Sequence, residues 1–166
     1  MRIFAIISSI IILIGLDQYS KYLFGWVFQS WIFDCFPIDI QSECITRYIP
    51  IIGEYLGITV SHNTGIAFSL PLRGLLLQMI TIGLIIWLVV YYIYEEYPKK
   101  SHLIDTAYVC ILAWSIAHGY ERIFIGHVVD FISVKYFAIL NLADILISIW
   151  AILIILAYGY SSRKSR

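Results

Sequence analysis

The residues of this sequence best placed to do chemistry are two carboxylates, Asp130 and Asp144. Asp144 is the one charge in the apolar stretch 136–160. A carboxylate within a membrane-length apolar stretch is functional by default, because a charge in hydrocarbon costs at least about 2.5 kcal/mol. If Asp130 meets Asp144, like-charge repulsion and partial burial split their titration, leaving one protonated and one ionised near neutral pH. The ionised member can take a proton from water. The protonated member can polarise a scissile carbonyl and donate to the leaving amine. Other chemistries are served less well. The sequence has no G-x-S-x-G and no H-E-x-x-H, and His118, Glu121 and His127 lack that zinc-ligand pattern. Cys35, Cys44 and Cys110 form no C-x-x-C pair; Cys110 reads as a small buried hydrophobe, and Cys35 and Cys44 share one polar loop in which they could pair.

Further polar residues recur at helical spacing. Asp17 and Lys21 are i,i+4; His118 is followed by Glu121 and Arg122 at i+3 and i+4; Asn141 and Asp144 are i,i+3. His62 and Asn63 precede another apolar run. Each has a plainer reading. Asp17–Lys21 is equally an intrahelical ion pair or support for a site. Arg122 can snorkel to an interface. Asn63 suits a bend, Asp130 suits a solvated loop, and His127 reads as a bystander.

The elements that must position these residues are membrane helices. The chain is 61% hydrophobic with mean hydropathy +0.86, too apolar for a soluble domain of this length. It reads as a single membrane-embedded domain, 1–166, with spans near 3–24, 75–94, 103–125 and 136–160. No small-residue cleavage site follows the first run, so that run is expected to remain as a helix. Arg2, then Lys99 and Lys100, then Arg163, Lys164 and Arg166 occupy three places that four spans put on one side, expected to be cytoplasmic. The loops 25–74 and 126–135 then face outward. Within the first, 45–68 has the composition of short strands. The fold class expected is an all-α membrane protein of four transmembrane helices, with a small extracytoplasmic β-rich region between helices 1 and 2. On this layout the ionisable groups inside spans gather in the outer leaflet and the inner halves are apolar. No basic patch interleaved with aromatics appears, so nucleic acid is not an expected partner.

Four stretches, in order, make the chain resemble the lipoprotein signal peptidase (type II signal peptidase) family: Asp17-Gln-Tyr-Ser-Lys21, His62-Asn-Thr-Gly-Ile-Ala-Phe68, Val128-Val-Asp-Phe131 and Asn141-Leu-Ala-Asp144, with Arg122 eight residues before Asp130. The resemblance implies an aspartic endopeptidase that cleaves diacylglyceryl-modified prolipoproteins before the lipid-bearing cysteine at the outer face of the inner membrane. It implies Asp130 and Asp144 as the catalytic pair, with Asn63, Gly65, Arg122 and Asn141 lining or positioning the site and Asp17 and Lys21 supporting it. It also implies no metal or organic cofactor. Membrane lipid and prolipoproteins are the expected partners, and a monomer is the working expectation. Where the family usually has G-N-x-x-D-R, this chain has Ala117-His-Gly-Tyr-Glu-Arg122, so that His118 replaces an amide and Glu121 an aspartate.

Two other readings compete. A transport or proton-relay subunit also carries intramembrane Asp, Glu, His and Arg, but it needs polar groups through the full membrane depth. A catalytically inactive relative that binds lipidated segments is the third.

Overall fold

The computed structural model describes residues 1–28, 48–63 and 75–164. Helix α1 (Arg2–Tyr22) continues into a π-turn, Leu23–Phe28. Strands β1 (Ile49–Ile52) and β2 (Leu56–Asn63) follow, then helix α2 (Leu75–Tyr91). Helix α3 (His102–Tyr120) ends in a second π-turn, Glu121–Ile125. Strands β3 (Val128–Val134) and β4 (Ala138–Leu140) lead into helix α4 (Leu142–Lys164).

Among the described residues, three helical segments are long and apolar enough to cross a membrane: Arg2–Gly25, Gln78–Lys99 and Leu142–Gly159. Their outward faces carry bare Ile11, Ile12, Met79, Trp87, Ile152 and Ile155, as lipid contact requires. Helix α3 is different. Thirteen of its nineteen residues are buried, and it packs on α1, α2 and α4. Because it is the central helix, α3 can carry Asp105, Ser115 and His118, which a lipid-facing helix could not. Ala107, Ala113 and Ala117 are fully or almost fully buried, and a Cβ on Gly119 would stand 3.2 Å from Ile85, so α2 approaches α3 closely there. The apolar core joins Ile6, Leu88, Tyr92, Tyr108, Val109 and Leu112, with Cys110, Ala113 and Leu146 beside it.

The strands form one antiparallel sheet in the order β1-β2-β3-β4. The expected β-rich region between the first two helices supplies only half of it. The other half comes from the connection between α3 and α4. There 136–140, expected to open the fourth span, instead completes a hairpin: Val134 pairs with Ala138 and Ile132 with Leu140, and Tyr136 turns the chain at φ +63°. The apolar run Tyr136–Leu140 hides this turn in the sequence. Gly126, at φ +86°, closes the π-turn before β3 with a conformation that favours glycine. The expected strand residues 45–47 and 64–68 lie outside the described residues, as do Gly65, Cys35 and Cys44.

Candidate active site

Asp130 sits on β3, opposite Ser61 of β2. A bulge between Ile58 and Ser61 shifts the β2–β3 register just before this pair. Bulges commonly re-aim side chains beside functional sites. Asn63, two residues beyond Ser61, is therefore the diagonal neighbour of Asp130 on the same face, and its Nδ2 donates to Asp130 Oδ2 at 3.3 Å.

The hairpin returns the chain from Asp130 to Asn141, the residue before α4. Asn141 Oδ1 accepts from Asp144 N at 3.1 Å, and Asp144 Oδ2 accepts from Asn141 N at 3.1 Å. This reciprocal pair is a capping box, which satisfies helix-end amides that would otherwise be orphaned. It also locks Asp144 into the first turn of α4. Asn141 Nδ2 donates to Asp130 Oδ1 at 2.5 Å. One fully buried amide thus binds both aspartates.

The surroundings of the two carboxylates differ. Asp130 is 5% exposed, whereas the Asp144 side chain is 25% exposed. Burial pushes the Asp130 carboxyl up to about 6; the bonds from Asn141 and Asn63 oppose this shift and the Asp144 charge adds to it. Asp144 Oδ1 also accepts from Trp114 Nε1 at 3.3 Å and lies 3.5 Å from His118 Nε2. Trp114 was not legible as a site residue, since a tryptophan in an apolar run reads as core.

Behind the pair lies a buried ionic triad. Asp17 Oδ2 binds Lys21 Nζ at 2.8 Å, and Lys21 Nζ binds Glu121 Oε2 at 2.5 Å. Each outer member also holds a backbone amide. Asp17 Oδ1 accepts from Ala143 N at 2.9 Å, beside Asp144, and Glu121 Oε1 accepts from Val129 N at 3.4 Å, beside Asp130. The triad ties α1, α3, β3 and α4 together directly behind the two aspartates. The end of α1 also packs on β3: Phe24 stacks on Phe131 with ring centroids 4.3 Å apart, and a Cβ on Gly25 would stand 3.2 Å from Val129. Arg122 is half-buried and feels the charges of Asp130, Asp144 and Glu121; among the described residues it makes no direct ion pair. His127 stands against His62, ring centroids 4.5 Å apart, and burial lowers the His62 pKa. The sequence-predicted residues Asp17, Lys21, Asn63, His118, Glu121, Arg122, Asn141, Asp130 and Asp144 therefore converge at one end of the bundle, while Gly65 lies outside the described residues.

One expectation is corrected. Asp105, inside the predicted third span, lies at the opposite end of the bundle and does not join the other ionisable groups expected to gather in one leaflet. It is 6% exposed and bound by Arg2 Nε at 2.7 Å and Tyr92 OH at 2.7 Å. Arg2 also donates to the Tyr97 carbonyl, and Glu96 is held there by Lys99 and Tyr158. These partners make a buried charge tolerable at a helix end. Thirteen residues of α3, about 20 Å of helix, separate Asp105 from His118, and the apolar core fills that length.

A family model described as signal peptidase (SPase) II matches residues 9–159. The lipoprotein signal peptidase of Fusobacterium nucleatum is 28% identical over 158 residues, covering 94% of this chain and 87% of that protein. That of Enterococcus faecalis is 30% identical over 144 residues, covering 86% of this chain and 78% of that protein. A solved bacterial membrane enzyme superposes with a TM-score of 0.78 at 26% identity, covering 99% of this chain and 93% of that one. A second reaches 0.71 at 28% identity, covering 94% and 93%. With apolar helices long enough to cross a membrane and a family match over most of its length, this chain belongs to the signal peptidase II family of bacterial membrane proteins.

Proposed function

We propose that this protein is a lipoprotein signal peptidase, an aspartic endopeptidase that removes signal peptides from diacylglyceryl-modified prolipoproteins with Asp130 and Asp144 as its catalytic pair. The observation that carries this reading is the Asn141 side chain bonded to both aspartates. In the mechanism, the pair carries one proton. Its ionised member draws a proton from water, which attacks the scissile carbonyl; its protonated member polarises the carbonyl oxygen and then donates to the leaving amine. The titration belongs to the pair as a unit. Arg122, Asn63 and Gly65 position the substrate beside it.

In this reading α3 is a fourth crossing, shielded from lipid by its neighbours. The N-terminus and the α2–α3 turn meet through Arg2 and Tyr97, and α4 joins them through Tyr158. These basic ends are the cytoplasmic side of the inner membrane. The sheet and the two aspartates face the cell exterior or periplasm, where the precursor emerges. The enzyme acts as a monomer with membrane lipid around it.

The test is cleavage of a diacylglyceryl-modified precursor by the purified protein. Asp130→Asn and Asp144→Asn should each lower the rate by roughly 10²–10⁴-fold while the protein stays folded. Undiminished cleavage in both variants would end the assignment.

A further inference from the structure

Resting on the reading of Asp130 and Asp144 as the reacting pair, we propose that His118 is a positioning residue whose neutral, Nδ1-protonated form fixes the orientation of the Asn141 amide. His118 is 7% exposed and sits one helical turn after Trp114. Its Nδ1 lies 3.2 Å from the Trp114 carbonyl oxygen. A carbonyl only accepts, so Nδ1 carries the proton and donates. The neutral ring then leaves Nε2 as an acceptor. Nε2 faces Asn141 Nδ2 at 3.4 Å.

Both Nδ2 protons of Asn141, and its Oδ1, then have partners. One Nδ2 proton goes to His118 Nε2 and the other to Asp130 Oδ1; Oδ1 accepts from Asp144 N. Rotating the amide by half a turn would create three mismatches at once. Oδ1 would face the Asp130 carboxylate and the His118 lone pair, and the NH2 group would face the Asp144 N–H. Without the imidazole, one of those three restraints disappears, at the group that bonds both aspartates.

The opposite tautomer would point an N–H from Nε2 at Asn141 and toward Asp144 Oδ1, 3.5 Å away. It would leave Asn141 without an acceptor there and compete for a carboxylate the reaction needs. The groups that face His118 are Asp144 from α4, Asn141 just before it and Trp114 from its own helix, with the charges of Lys21 and Arg122 also acting on it.

The experiment compares three variants in the lipid-modified precursor assay. His118→Gln keeps an acceptor near the position of Nε2. His118→Asn reaches only as far as Nδ1. His118→Phe keeps the ring and removes both nitrogens. The Phe variant should lower kcat about tenfold or more with KM within twofold, since His118 is nearly fully buried and acts through Asn141. Gln should restore most of kcat and Asn should not. A ¹⁵N spectrum of histidine-labelled protein, assigned by difference with His118→Gln, should show His118 Nε2 as the unprotonated nitrogen. An Nε2–H signal, or equal kcat in the Gln and Asn variants, would overturn the proposal even if the Phe variant fails to fold. If Asp130→Asn and Asp144→Asn both cleave normally, the dyad itself is wrong; if they are dead while His118→Phe is fully active, only the role of His118 is lost.

Discussion

Asp130 holds its proton more tightly than an ordinary carboxyl, with a pKa near 6 against 3.8. Its ionised form is disfavoured in the folded protein, so folding stability falls as pH rises from about 4 through about 6, and the penalty is complete above that. Asn at position 130 carries no such penalty. Asp130→Asn should therefore unfold at a higher temperature than the parent at pH 7, by roughly 1–3 kcal/mol in stability, with the advantage vanishing near pH 4. Thermal unfolding in detergent across this range checks it, and a pH-independent difference would show that the carboxyl is not strained by burial. At this scale the sequence was informative for a physical reason. Asp144 stands alone in an apolar stretch, where only a functional group repays its cost. Trp114 could not be found the same way, because its indole N–H bond to Asp144 depends on which way α3 faces, and residue type does not reveal that. Asp105 was passed over because its partner, Arg2, is a hundred residues away in the chain.

At the scale of elements, the site depends on two helix ends and a hairpin being held in register. Lys21 is the hinge of that arrangement, since it neutralises Asp17, which caps α4, and Glu121, which holds β3. Its removal leaves two buried carboxylates facing one another. Lys21→Met should cost about 3–5 kcal/mol and reduce cleavage in proportion to the loss of order at Ala143 and Val129. Amide hydrogen exchange at those two positions, compared with exchange in the middle of α2, separates this from uniform destabilisation; equal loosening everywhere would count against a local role. The strands were only partly legible. The mixture of Ile, Tyr, Val and Thr with Gly and Pro breaks around β1 and β2 indicates short strands, but Tyr136–Leu140 is apolar throughout and runs almost directly into α4. Periodicity cannot separate so short a strand from a helix start. The turn that separates them is set by Tyr136 at positive φ, a conformation that a tyrosine does not advertise.

For the whole molecule, the apolar stretches announced a membrane protein built on long helices, because bilayer thickness and backbone hydrogen bonding leave little else possible, and three of the described helices are long and apolar enough to cross. The central position of α3 was less visible, since which helix is shielded follows from packing. The proposed orientation makes a direct prediction. A cysteine placed at the exposed Phe137 should react with a membrane-impermeant maleimide in intact spheroplasts, and one placed at the exposed Glu95 should react only after lysis. The reverse pattern would invert the proposed topology. At the far end of the bundle, Arg2→Gln should leave Asp105 short of its cation and lower stability by about 1–3 kcal/mol, while kcat of the folded fraction stays within twofold.

The hairpin between α3 and α4 has one more consequence. Both carboxylates, and the Asn141 residue that bonds one through its side chain and the other through its backbone N–H, come from a single short run of chain bent back on itself. The working part of the molecule is thus close to a cassette, bolted at its back to α1 and α3. The lipid-facing surfaces of α1 and α2 are then free to drift with the thickness and composition of whatever bilayer they occupy, and the chemistry travels unchanged with the cassette.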